Sequence, residues 1–262
     1  NANGVVVTFL ALLSAGRVAA MLNYSSGSAN IVSAIKTARI RTVLSSRTFI
    51  EKAELQSLAE AIEFNCTKIV WLEDLRETVT TAEKLSAALQ WKRPVRSIRS
   101  EDPAIILFTS GSEGTPKGVV LSHYNIQANA AQAEARFSIS VEDTLFNVLP
   151  VFHSFGMTGG TVLPLLYGVR LFLYPSPLHY KLIPAAASKV RPTIMFGTDT
   201  FLMGYARTAK DNDFESLRFV VAGAEAVKPQ TRELYAERFQ CKVLEGYGMT
   251  EAAPVVAANT CS

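Results

Sequence analysis

The stretch Phe108-Thr-Ser-Gly-Ser-Glu-Gly-Thr-Pro-Lys-Gly-Val119 has the composition of an anion cradle. The hydroxyls of Thr109, Ser110, Ser112 and Thr115, with backbone N–H groups freed by Gly111 and Gly114, can wrap phosphate oxygens. Lys117 adds a point charge. A Walker-type loop needs Gly before its Lys and Ser or Thr after it. Pro116 and Gly118 stand there instead, which disfavours a phosphotransferase. Taken alone, a glycine-containing turn after a strand is more often plain connection; the ten-residue string from Thr109 to Gly118 is far more specific.

Two further strings carry chemistry. In Leu149-Pro-Val-Phe-His-Ser-Phe-Gly156, His153 sits between Phe152 and Phe155, a setting that by itself suits a core histidine. In Glu245-Gly-Tyr-Gly-Met-Thr-Glu251, the glycines clear space around Tyr247, whose face can take a flat ring. Glu251 offers hard oxygen ligands to a cation. Its bland reading is a surface carboxylate capping a helix that begins at Ala252. His123 reads as a helix-start residue and His179 as an exposed loop residue.

These strings lie between short apolar runs. Candidate strands are Thr42–Ser45, Lys68–Leu72, Ala104–Thr109, Thr144–Leu149, Arg170–Tyr174, Thr193–Phe196, Phe219–Ala222 and Val243–Gly246. They are continuous rather than alternating, as in strands covered on both faces. Candidate helices are Ile31–Ala38, Glu51–Phe64, Asn125–Arg136, Gly156–Tyr167, Leu182–Lys189 and Pro229–Phe239. The phosphate string follows the run Ala104–Phe108 and precedes a helical stretch starting near Ser122–Asn125. The rhythm predicts an α/β fold of two stacked αβ subdomains with mainly parallel sheets. A weak boundary near Phe137–Glu142 divides them into residues 1–138 and 139–262. Residues 76–100 are more polar and read as a helix followed by a surface connection.

Composition narrows the classes. The chain has 262 residues, 48% apolar and 19% charged, so it can bury a core and is not disordered. A net charge of +3, unclustered, predicts no nucleic-acid grip. Cys66, Cys241 and Cys261 form neither a zinc pattern nor a disulfide framework, which points to a reducing compartment. The apolar run Val5–Leu13 is too short to span a bilayer. The chain starts at Asn1-Ala2-Asn3 and ends in a polar stretch, and reads as a piece of a longer protein.

The three strings, in this order, resemble the phosphate loop, the acyl-pocket motif and the adenine- and metal-binding motif of the acyl-adenylate-forming superfamily. Within it, Met21-Leu-Asn-Tyr24, Phe172-Leu-Tyr-Pro-Ser-Pro-Leu-His-Tyr180, Phe196-Gly-Thr-Asp-Thr-Phe201 and Val220-Val-Ala-Gly-Ala-Glu225 resemble one subgroup. It is the acyl-[acyl-carrier-protein] synthetase half of bacterial bifunctional 2-acylglycerophosphoethanolamine acyltransferases. The resemblance implies the N-terminal part of an adenylate-forming enzyme, using ATP and Mg²⁺ to activate a long-chain fatty acid. Transfer of the acyl group to the acyl-carrier-protein thiol would follow, serving lysophospholipid reacylation through an acyltransferase domain. An acyl-CoA synthetase using coenzyme A, and a non-catalytic nucleotide-binding module, are the alternatives.

By that resemblance, Thr109, Ser110, Gly111, Ser112, Gly114, Thr115 and Lys117 hold the β- and γ-phosphates, with Glu113 turned away. Gly223, Ala224 and Glu225 face Gly246, Tyr247 and Gly248 across an adenine slot. Thr250 bonds the α-phosphate, Glu251 binds Mg²⁺, and His153 borders the carboxylate. Lys117, His153, Thr250 and Glu251 are thus the catalytic candidates. Gly197 stands where an amino-acid-activating relative has its amine-binding Asp, and the apolar stretch Phe155–Leu166 suits a fatty acyl wall. The resemblance also implies a ribose-binding Asp and a catalytic Lys beyond Ser262. The expectation is a soluble, inactive fragment of a protein at the cytoplasmic side of a bacterial inner membrane.

Overall fold

Continuous apolar runs become strands that are flanked by strands. A computed structural model describes residues 2–65, 67–110 and 115–260. Gly111, Ser112, Glu113 and Gly114 of the phosphate string lie outside the described residues, as do Cys66 and Cys261. In chain order the strands are β1 (Ala19–Met21), β2 (Thr42–Ser45), β3 (Lys68–Trp71), β4 (Pro103–Ser110), β5 (Pro116–Ser122) and β6 (Thr144–Asn147). Then follow β7 (Arg170–Leu173), β8 (Ile194–Gly197), β9 (Phe219–Ala222), β10 (Lys242–Gly248) and β11 (Val255–Ala258).

They form a six-stranded sheet in the order β11-β10-β9-β8-β6-β7, a three-stranded sheet β1-β4-β5 and a parallel pair β2-β3. In the large sheet every pairing is parallel except β10 with β11. Every residue of β6, β8 and β9 is buried, which is why these runs carry no polar alternation. The fold is a mixed α/β architecture with parallel-rich sheets, as the apolar rhythm predicts.

Contacts divide the chain into two units. One comprises Asn1–Ala11, Arg99–Ala104 and Val120–Ser262; the other comprises Leu12–Ile98 and Ile105–Val119. Helix His123–Phe137 buries Ala130, Ala133 and Phe137 in the core of the six-stranded sheet. Ser122 and Asn125 start that helix with a capping box, and Ser138 ends it in the left-handed region. The smaller unit has its own core, in which Ile31, Ile35, Leu58, Ile62 and Ile69 meet.

Two expectations are corrected. The run Glu51–Phe64 is two helices, Arg47–Lys52 and Gln56–Phe64, because Glu54 adopts φ 54° and breaks the ladder without a Gly or Pro to announce it. The helical stretch expected from Ser122–Asn125 begins at His123, after strand β5, which Val119, Val120 and Leu121 favour. The stretch Gly156–Tyr167 is a π-helix, Phe155–Val162, running into a short α-helix, Leu163–Leu166.

Candidate functional site

The large sheet sets where its chemistry sits. From β6 the chain moves to β7 on one side and then to β8 on the other, so the connections diverge beside β6. Loops at the carboxyl ends of parallel strands around such a switch form the crevice of open α/β sheets. His153 follows β6, Gly223–Glu225 follows β9, and Tyr247 lies near the end of β10.

Asn147, the last residue of β6, organises the first loop and is fully buried. Its Nδ2 donates to the Gly156 carbonyl at 3.2 Å and to Thr161 Oγ1 at 3.4 Å, and its Oδ1 accepts from Leu149 N–H at 3.0 Å. Thr161 Oγ1 donates to the same Gly156 carbonyl at 2.8 Å. The π-helix closes around these bonds. A Cβ on Gly156 would lie 2.3 Å from the Pro150 carbonyl oxygen, and one on Gly160 would lie 2.5 Å from Asn147 Cγ. Only glycine fits at either place.

His153 stands on this loop and is exposed, with its ring 4.8 Å from that of Phe152. Surrounding protein withholds water from the imidazole and lowers its pKa below the ordinary value. Phe155, two residues on, stacks on Phe196 at 5.3 Å between centroids. A Cβ on Gly223 would stand 3.3 Å from Phe155 Cε1 and 3.1 Å from the Gly246 carbonyl oxygen. Gly223 and Gly246 of the expected adenine slot are therefore neighbours, and the acyl-motif Phe155 touches the same point. Ala224 is held at φ 70°, a strained geometry for a side-chain-bearing residue.

Tyr247 is 65% exposed and Gly248 is also exposed. At Gly248 a Cβ would meet the Pro254 carbonyl oxygen at 2.4 Å, where β10 and β11 converge and their register shifts. Thr250 and Glu251 lie in a 3-10 turn, Thr250–Ala252, rather than ahead of a helix at Ala252. Asn129 pins the start of β11: its Nδ2 donates to the Val255 carbonyl at 2.8 Å and its Oδ1 accepts from Val255 N–H at 3.0 Å.

Glu225 has its carboxylate occupied. It accepts from Thr200 N–H at 2.8 Å and Thr200 Oγ1 at 3.0 Å, at the start of helix Asp199–Thr208. Partial burial opposes its charge, but the Thr198 and Thr200 hydrogen bonds and Lys228 prevail and hold the pKa below the usual range. Glu245, at the head of the third string, accepts from Val227 N–H at 3.0 Å and pairs with Arg232. A half-open cleft of about 640 Å³ beside the same helix is lined by Tyr180, Asp199, Thr200, Arg207 and Lys228, and contains none of the expected site residues.

The other unit carries the phosphate string. Thr109 is half-buried near the end of β4, while Thr115 and Lys117 are exposed. β5 runs beside β4, and a Cβ on Gly118 would touch Ile106 Cγ2 at 3.2 Å. The side chain of Ser110 lies outside the description.

The donor set fits the expected groups. Glu251 is exposed and has no protein partner, and no cluster of three or more His, Cys, Asp or Glu able to hold a metal occurs among the described residues. A lone carboxylate suits Mg²⁺, which keeps waters and takes its other ligands from phosphate oxygens.

A family model described as AMP-binding enzyme matches residues 1–262. The chain belongs to the AMP-binding enzyme family. Among relatives of this family it is 31% identical over 200 residues to a long-chain-fatty-acid–CoA ligase of Haemophilus influenzae, covering 73% of this chain and 35% of the relative. It is 24% identical over 261 residues to 4-coumarate–CoA ligase 1 of Petroselinum crispum, covering 95% and 46%. The chain therefore spans less than half the length of these AMP-binding relatives. ATP-bound MatB from Rhodopseudomonas palustris shares the fold, with a TM-score of 0.80 at 20% identity over 99% of this chain and 50% of that one. The N-terminal domain of FACL13 from Mycobacterium tuberculosis gives 0.82 at 20% identity, over 97% and 62%.

Neither Asn147 nor Asn129 was legible as a site residue. Asn147 did leave a trace, as a lone amide inside the apolar run Thr144–Leu149.

Proposed function

We propose that this chain is the nucleotide- and acyl-binding part of an enzyme that converts a fatty acid and ATP to an acyl-adenylate, then transfers the acyl group to a thiol. The observation that carries the reading is the meeting of Phe155, Gly223 and Gly246 at the carboxyl ends of parallel strands, with Tyr247 exposed beside Gly246.

In this reading Tyr247 lies against the adenine and the backbone at Gly223–Ala224 lines the opposite wall. Thr109, Ser110, Gly111, Ser112, Gly114, Thr115 and Lys117 hold the β- and γ-phosphates. Thr250 bonds the α-phosphate and Glu251 holds Mg²⁺. Bound at Glu251, Mg²⁺ would offset phosphate charge. The fatty acid carboxylate attacks the α-phosphorus, the bond to the β-phosphate oxygen breaks, and pyrophosphate leaves with the electron pair. The chain's part is alignment and charge neutralisation rather than covalent chemistry. His153 borders the carboxylate, and the π-helix supplies an apolar wall for the acyl chain.

Three relatives named long-chain-fatty-acid–CoA ligases support a long-chain acid and coenzyme A. The four subgroup strings at Met21–Tyr24, Phe172–Tyr180, Phe196–Phe201 and Val220–Glu225 favour acyl-carrier protein instead, in a protein that reacylates lysophospholipids at the cytoplasmic face of a bacterial membrane. The test is ATP–pyrophosphate exchange with a long-chain fatty acid, on the protein at full length. Lys117→Ala and Glu251→Gln should each lower exchange about 10²–10³-fold, the scale of one lost transition-state contact. Unchanged exchange in both refutes the assignment. Competition between coenzyme A and holo acyl-carrier protein then decides the acceptor.

A further inference from the structure

Helix Thr81–Gln90 buries none of its residues. Thr80 caps it, with Glu83 reaching back to complete the capping box, so the sequence commits to a helix here without a protein surface to pack on. Leu85 and Leu89, four apart, share one face and are 63% and 78% exposed. The chain then continues that apolar character through Trp91 and Val95, at 75% and 76%. Four large apolar side chains thus stand in water within eleven residues, more than scattered single exposures would give.

Against the expectation of unclustered charge, the same segment is basic. Residues 81–99 hold Lys84, Lys92, Arg93, Arg96 and Arg99 against the single carboxylate of Glu83. Lys84, Lys92, Arg93 and Arg96 are exposed and make no ion pair among the described residues. Lys92 sits over the Trp91 ring at 5.1 Å. Arg96 lays its stem on Gly16, whose added Cβ would meet Arg96 Cδ at 2.9 Å, so the far end of the segment is fastened to its own unit. No described helix is long and apolar enough to cross a membrane.

We infer that residues 81–96 form a surface anchor for anionic lipid headgroups. Leu85, Leu89, Trp91 and Val95 enter the interface while Lys84, Lys92, Arg93 and Arg96 meet lipid phosphates. Charge complementarity selects this occupant: an apolar protein partner needs no set of unpaired cations among the apolar side chains of residues 81–96, whereas an anionic leaflet attracts each of them. A tryptophan beside basic residues is the composition of interfacial segments. The anchor would hold the enzyme where long acyl chains partition, and it stands independently of the acceptor used.

The experiment uses the 262-residue chain carrying Trp71→Phe, which leaves Trp91 as the only tryptophan. Vesicles of equal phosphatidylglycerol and phosphatidylcholine should bind it at least ten-fold more strongly than phosphatidylcholine alone. Trp91 emission should shift to shorter wavelength, and binding should weaken in high salt. Lys92→Glu with Arg93→Glu should lower binding roughly 30-fold or more. Leu89→Ser with Val95→Ser should abolish the emission shift, with the far-ultraviolet circular dichroism unchanged because these positions are exposed. Equal binding to neutral vesicles, or no response to either pair of substitutions, overturns the inference. A concentration-dependent dimer lost in the Leu89→Ser/Val95→Ser variant also overturns it, giving the face to a second copy of the chain.

Discussion

Gly223 lies so close to Phe155 that a single added carbon would stand 3.3 Å from its ring and 3.1 Å from the Gly246 carbonyl. A ring can tilt, but that carbonyl belongs to β10, where neighbouring Glu245 is in register with Ala222 of β9. Replacement of Gly223 by Val should therefore open the β9–β10 edge where the adenine is proposed to lie. The expected result is a loss of about 1–3 kcal/mol in urea unfolding, as for an overpacked site. In the full-length enzyme the KM for ATP should rise ten-fold or more. A variant with unchanged KM would show that the nucleotide does not use this edge.

Asn147 and Gly160 are coupled by contact. Asn147→Ala removes the bonds to Gly156, Thr161 and Leu149 and should cost about 1–3 kcal/mol, because several buried hydrogen bonds are lost at one place. Gly160→Ala drives a methyl group against the Asn147 amide and should cost a similar amount. Together the two should cost less than their sum by about 1 kcal/mol, since each relieves what the other creates. A double-mutant cycle in urea measures it, and strict additivity would show that the two side chains do not meet.

These two cases show what the sequence discloses. The apolar runs at Thr144–Asn147 and Phe219–Ala222 announce strands because burial on both faces demands continuous apolar residues, and that demand is local. The ordered strings announce family and site types for the same reason: each is one loop. What the π-helix requires is not local. It depends on Asn147 reaching Gly156, nine positions along, and on Thr161 reaching back to the same carbonyl. The role of Glu225 was hidden likewise, since its partner Thr200 lies 25 positions earlier. The break at Ala53–Leu55 left no trace because Glu54 enters the left-handed region unaided by glycine.

Asp143 should make stability depend on acid. It is buried at the edge of β6, where burial opposes its charge. Arg218 donates to it at 2.6 and 2.7 Å, Thr193 Oγ1 at 2.6 Å and Ser140 N–H at 2.9 Å, and these prevail, holding its pKa below the usual value. A carboxylate with a lowered folded pKa contributes stability above its unfolded pKa of about 3.9, and that contribution fades as pH falls through the folded value. Asp143→Asn should thus cost about 1–3 kcal/mol at pH 7, the half-exposed Arg218 keeping it below the cost of a fully buried pair. The difference from wild type should persist to pH 5 and shrink below pH 4. Urea midpoints at pH 7, 5 and 3.5 test this, and a difference independent of pH would contradict it.

His153 has the opposite charge type and a different consequence. Desolvation beside Phe152 lowers its pKa below the ordinary value near 6.5, so the folded state prefers the neutral ring. Between the folded and unfolded values the unfolded chain binds more protons, so stability rises with pH across that window. The contribution is complete above about pH 6.5 and fades as pH falls through the folded value. Only three histidines are present, so proton NMR can follow each, with His153→Gln identifying the resonance. The expected midpoint lies below 6.5, and Phe152→Ala should move it upward by admitting water. A neutral ring at pH 7 cannot act as a counter-ion for a fatty acid carboxylate. It can shape the pocket and share one hydrogen bond. His153→Ala should therefore raise the KM for the fatty acid more than it lowers kcat in the full-length enzyme, with no limb near pH 7 in the wild-type rate. A midpoint above 7 would make His153 mostly a cation at pH 7 and overturn this division of labour.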